Sequence, residues 1–115
     1  MLLKLKRVKM NYQRSLFVKL FGNSPYIRVL DFLLTYRGFD YSKKEIAENA
    51  NVSYNTLNSF WREMLSNGII LKTGRKGRQD VFRLNLENNL AKSLIALFDS
   101  IATESIAEQK QNLGK

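Results

Sequence analysis

A chain of 115 residues is long enough for one domain, and with 44% hydrophobic residues it can bury a core. It contains no cysteine and no histidine, which excludes disulfides, thiolate nucleophiles, sulfur-ligated metals and the usual imidazole base together. The net charge of +9 is concentrated: residues 1–19 hold six basic residues and no acid, and residues 72–83 hold five against Asp80. Clustering of this kind points to a polyanionic partner rather than to solubility.

The first ten residues, MLLKLKRVKM, alternate apolar and basic types. They lack the apolar core of a secretory signal, and no stretch reaches the roughly 18–20 apolar residues of a membrane span. No membrane association is expected, and a cytoplasmic location is. Residues 1–22 read as a basic extension: an arm entering a groove, an added dimer helix, or a membrane-surface segment, the first two preferred, with Phe17 and Phe21 joining the core.

Gly22-Asn23 breaks the chain. Ser24 caps and Pro25 opens a helix over about 25–36 that is apolar around most of its circumference. Gly38 ends it, and Phe39-Asp40-Tyr41 is a short connector holding at most one extended pair. Ser42 and Glu45 have capping-box spacing, so a second helix runs from Lys43 to about Asn49 with Ile46, Ala47 and Ala50 on one side. Asn51, a residue that tolerates left-handed backbone, forms the turn. Ser53 caps a third helix, Tyr54 to Ser66, closed by Asn67-Gly68. Ile69-Ile70-Leu71 begins a strand, residues 73–79 form a glycine-punctuated tip, and Val81 to Leu84 is the return strand, with Val81 and Arg83 on one face and Phe82 and Leu84 on the other. A last helix runs from residue 87 or 88 to about 109.

The order is three helices, a hairpin and a long helix. An open hairpin is not stable alone and must dock on the helices. The expected fold is therefore mainly α with a small β-hairpin wing: a winged helix-turn-helix over 23–86, preceded by the extension and followed by a C-terminal helix over 87–115.

The third helix divides cleanly. Leu57, Phe60, Trp61 and Met64 form a core stripe, with Trp61 expected to be buried. Tyr54, Asn55, Asn58, Ser59 and Arg62 form a flank of neutral hydrogen-bonding groups plus one arginine, the equipment for reading base edges in a major groove. A flank shaped only for solubility would carry more Glu and Lys. The tip residues Arg75, Lys76 and Arg78 suit phosphate or minor-groove contact. Lys43 and Lys44 oppose the helix dipole in the first turn of the second helix, which favours a phosphate-binding role; Lys72 and Thr73 are further candidates.

In the last helix Leu90, Leu94, Leu97 and Ile101 form one apolar stripe, and Ala91, Ile95, Phe98 and Ala102 a second. One stripe can cover the domain and the other a second copy, which predicts a homodimer using Leu90, Leu94, Leu97, Phe98 and Ile101. No nucleophile–base pair and no metal shell is legible, so neither an enzyme nor a cofactor is expected.

These residues also carry a resemblance. LFGNSPYIRVLDFLL (20–34), SKKEIA (42–47), WREML (61–65), NGII (67–70), the TGRKGR wing (73–78) and the Leu-Asn after it are similar to the archaeal family of small winged helix-turn-helix transcriptional regulators. The likeness covers Leu20 to about Leu97. It implies a DNA-binding regulator without a cofactor, often dimeric, with DNA contacts on Tyr54, Asn55, Asn58, Ser59 and Arg62 and on Arg75, Lys76 and Arg78. It assigns no role to the first 19 residues. From residues and resemblance together, the expected function is sequence-specific binding of double-stranded DNA by a transcriptional regulator that occupies its operator. A protein-interaction module would instead show an apolar third helix or wing. A non-specific chromatin binder would show equal affinity for unrelated duplexes.

Overall fold

The computed structural model describes residues 15–113, with side chains placed through residue 103. The lead-in over 1–14, expected as an arm or added helix, lies outside the described residues. A short helix, α1 (Leu16–Phe21), comes first. It is followed by α2 (Pro25–Thr35), β1 (Tyr41–Ser42), α3 (Lys43–Ala50), α4 (Tyr54–Ser66), β2 (Ile70–Lys76), β3 (Gln79–Leu84) and α5 (Asn89–Leu113).

Local chemistry sets most of these boundaries. Ser15, Ser24, Ser42 and Ser53 each accept a hydrogen bond from the backbone three residues on, as N-caps do. At α3 the box is complete, because Glu45 also accepts from the Ser42 amide at 2.9 Å. Asn51 ends α3 in the left-handed conformation, φ 59°, where its amide returns to the α3 carbonyls. Gly68 follows α4 at φ 78°, a backbone conformation that favours glycine, and a β-carbon there would sit 2.6 Å from Nδ2 of Asn88 and push that side chain aside. Asn88 in turn caps α5 and donates to the Asn67 carbonyl, locking the start of the last helix to the end of α4.

The hairpin departs from the expected loop. Its strands run almost to the tip, with Lys76 opposite Gln79, because Gly77 at φ 65° allows a two-residue turn. Thr73 is the extra residue of a bulge between Lys72 and Gly74. The connector also does more than expected: β1 pairs with β3 through Tyr41–Phe82 and Ser42–Val81, giving a three-stranded sheet in the order β1-β3-β2. Tyr41 is anchored by its hydroxyl, which donates to the Tyr36 carbonyl at 3.0 Å, and burial foremost pushes that phenol up to about 12. Phe82 and Leu84 join the core and Val81, although buried, does not, in line with the alternation of faces expected for that strand.

The core gathers Val29, Leu33 and Leu34 of α2, Ile46 of α3, Leu57 and Met64 of α4, and Ile70 and Leu84 of the hairpin. Phe17 and Val18 of α1 join it, and Phe17 meets Phe98 of α5 edge-on at 5.6 Å. Phe21, expected in the core, is half exposed although its ring lies 5.1 Å from Phe17. Phe60 lies at the edge of the α4 stripe, partly buried against Tyr26. No helix among the described residues is long and apolar enough to cross a membrane.

Candidate nucleic-acid interface

The turn between α3 and α4 is held from outside by a residue that sequence reasoning missed. Arg28, on α2, donates to the Ala50 carbonyl at 3.1 Å and to the Asn51 carbonyl at 3.2 Å. Its remaining nitrogen binds Asn23. The guanidinium thus neutralises the C-terminal end of α3 and fixes the angle at which α4 leaves. The available signal was that Arg28 and Asp31 are the two charged residues in an otherwise apolar helix.

On α4, Leu57, Trp61 and Met64 are buried, while Tyr54, Asn55, Asn58, Ser59 and Arg62 are exposed. Ser59 donates its hydroxyl proton to the Thr56 carbonyl at 2.5 Å and so presents an acceptor outward. An open recess of about 630 Å³ lies where α3, α4 and the hairpin converge, lined by Ser42, Lys43, Lys44, Tyr54, Arg78, Gln79, Asp80 and Phe82. Lys43 and Lys44, the base-reading candidate Tyr54 and the wing candidate Arg78 therefore share one concavity. Trp61 lies behind it, 6% exposed, with its ring perpendicular to that of Phe82 at 4.9 Å.

The basic candidates are not equivalent. Lys44 is exposed, whereas Lys43 is half-buried, donates to Oδ1 of Asn58 and lies over the rings of Tyr54 and Trp61. Asp80 draws in two of the wing cations, Lys72 at 3.3 Å and Arg75 at 3.6 Å, and Arg75 also donates to the Arg78 carbonyl. Lys76 and Arg78 are exposed and their side chains form no hydrogen bond or salt bridge within the described residues, and the same holds for the side chain of Arg62. Thr73 points to protein: it donates to Asp40 Oδ1 at 2.8 Å.

Asp40 also accepts from Arg83 Nε at 2.9 Å, so this one carboxylate ties the entry of β1 to both strands of the wing. The Thr73 hydroxyl and then the Arg83 guanidinium hold its carboxyl below the usual carboxylate range. A carboxyl depressed in the folded state stabilises the fold above its unfolded value and loses that contribution as pH falls through the folded one. Thermal melts from pH 7 downward should therefore show an added loss of stability below about pH 4. Asp40→Asn is expected to be less stable at neutral pH and to lack that component; an identical acid profile in wild type and variant would remove Asp40 from it.

At the far end, Ala91 and Ile101 of α5 are buried in the chain's own core, with Leu94, Ile95 and Phe98 packed against it. Leu90 and Leu97 are 47% and 41% exposed. Of the five residues expected at a dimer contact, Leu94, Phe98 and Ile101 thus serve this chain's own packing, and Leu90 and Leu97 remain open. Arg37, just past α2, donates to the Leu34 carbonyl at 2.9 Å and to the Asp99 carboxylate at 2.9 and 3.0 Å, tying the end of α2 to α5.

No protein-family model matches the sequence, and no curated protein sequence matches it either. Among solved structures the chain is similar to a MarR family transcriptional regulator from Silicibacter pomeroyi DSS-3, with 19% identity, 78% of this chain covered and a TM-score of 0.49. It spans 59% of the length of that regulator. It is also similar to MepR, a transcription regulator of the Staphylococcus aureus multidrug efflux pump MepA, with 12% identity and a TM-score of 0.55 over 96% of this chain and 83% of that one. With the helix order, the turn at Asn51 and the three-stranded sheet, the second likeness establishes that the chain has the winged helix-turn-helix fold.

Proposed function

We propose that this protein is a transcriptional regulator that binds double-stranded DNA sequence-specifically and acts by occupying its operator. The observation that carries the reading is the shared concavity. Tyr54, at the start of the polar flank of α4, and Arg78, at the cationic tip of the hairpin, line the same recess, so one duplex can meet both. Arg62, Asn55 and Asn58 supply donors for base edges, while Lys44, Lys76 and Arg78 supply charge for phosphates. The fold is compatible with this but does not decide it, since folds host many functions. The chemistry of the flank and the wing supports it. With neither histidine nor cysteine in the chain, a binding role without cofactor is the consistent one.

The decisive experiment is selection of binding sites from random duplexes at fixed ionic strength, followed by titration of wild type and Arg62→Ala on the selected site. Arg62→Ala is expected to lose about 1–3 kcal/mol on that site and to relax the preference at one base pair. Equal affinity for selected and scrambled duplexes would sink sequence-specific regulation.

The reading includes a homodimer. Leu90 and Leu97, one heptad apart on α5, offer an apolar strip that a second copy of the helix can cover, which would set two reading heads on half-sites about one DNA turn apart.

A further inference from the structure

We propose that Lys43 is a specificity-determining positioning residue: it holds the carboxamide oxygen of Asn58 toward α3 and so turns the amide N–H groups of that side chain outward to a base edge. The proposal rests on the duplex-binding reading above and deepens it.

Lys43 begins α3 and reaches across to α4. Tyr54, Asn58 and Trp61 are spaced four and three apart, so they lie along one line of that helix. The Lys43 ammonium is held by all three. It donates to Asn58 Oδ1 and lies 5.1 Å from the centre of the Tyr54 ring and 5.3 Å from that of Trp61. Aromatic faces attract a cation at such range, and Trp61 is itself fixed by its perpendicular contact with Phe82. The charge is therefore drawn onto the protein, unlike that of Lys44 beside it, which is exposed.

The orientation of Asn58 follows from donor–acceptor chemistry. An ammonium has three donors and no acceptor, so the amide must turn its oxygen toward Lys43 and its nitrogen away. An asparagine free to rotate reads adenine with both ends, accepting from N6 and donating to N7. With its oxygen drawn toward Lys43 and one of its two lone pairs taken, Asn58 turns its N–H groups outward and favours edges that present acceptors: N7 and O6 of guanine, or O4 of thymine. Lys43 thereby selects which base Asn58 favours while contributing little to phosphate neutralisation.

The test uses the full chain and three readouts. The base preference of wild type and Lys43→Met is obtained by selection from random duplexes, the salt dependence of each is measured, and the side-chain amide resonances of Asn58 are recorded in the free protein. Lys43→Met is expected to shift the preference at one base pair toward adenine by roughly 10-fold, within the range a bidentate contact supplies. It should move the Asn58 amide resonances and keep the wild-type salt slope. Asn58→Ala should erase the preference at the same pair, and Lys43→Met should then change nothing further. A salt slope reduced by about 0.9 with unchanged preference would mark Lys43 as a phosphate contact and overturn the proposal. An unmoved Asn58 amide with duplex binding intact would overturn it alone. Should Lys43→Met not fold, an unchanged preference in Asn58→Ala overturns it by itself. A wild type without affinity for any duplex overturns the duplex-binding reading, and this proposal with it.

Discussion

Replacing Trp61 by alanine is expected to lower the stability of the fold by about 3–5 kcal/mol, the range for deleting a large buried aromatic. The side chain is 6% exposed and meets the Phe82 ring edge-on at 4.9 Å. Phe82 lies on the central strand of the sheet, opposite Tyr41 on one side and Lys72 on the other. The cavity therefore opens where α4 touches the wing, and the loss should appear twice. Denaturant unfolding should give a lower midpoint, and amide exchange in β2 and β3 should accelerate more than exchange in α2. Trp61→Phe, which keeps an aromatic edge toward Phe82, should recover much of both. A midpoint within about 1 kcal/mol of wild type for Trp61→Ala would show that α4 and the wing pack independently of this contact.

Removing the uncommitted charge of the wing is expected to have the largest effect on binding. The side chains of Lys76 and Arg78 form no hydrogen bond or salt bridge among the described residues, whereas Arg75 and Lys72 share Asp80. Each phosphate contact contributes about 0.9 to the slope of log K against log salt, so Lys76→Ala with Arg78→Ala should reduce that slope by about 1.8 and weaken binding roughly 50-fold near 0.1 M salt. The loss should be the same on selected and unrelated duplexes, because phosphates carry no direct sequence information. Asp80→Asn, which releases Lys72 and Arg75, should move the slope in the opposite direction. A double variant with the wild-type slope would place the wing away from the duplex.

These two predictions draw on different kinds of knowledge. The burial of Trp61 was legible in the sequence because Leu57, Trp61 and Met64 recur at helical spacing, and periodicity reports a buried face. The cationic tip was legible as a count, but the fate of each cation was not. Asp80 lies five residues from Arg75 and is brought opposite it only by the hairpin turn at Gly77. Asp40 lies 33 residues from Thr73 and 43 from Arg83, and nothing in the intervening chain announces that the three will meet. The role of Arg28 was hidden for the same reason: its acceptors, the carbonyls of Ala50 and Asn51, are 22 and 23 residues away.

Where α2, α3 and α4 begin and end was written in runs of four or five residues. Serine hydroxyls at 24, 42 and 53 satisfy orphan amides three positions on, and Asn51 and Gly68 accept left-handed backbone. Such choices are local, so composition and spacing suffice to read them. Packing alone distinguished Lys43 from Lys44, turned Leu94, Phe98 and Ile101 inward while leaving Leu90 and Leu97 open, and added β1 to the wing. Each of those outcomes depends on which distant surface arrives beside a residue once the core has closed, and neighbours along the chain carry no record of that.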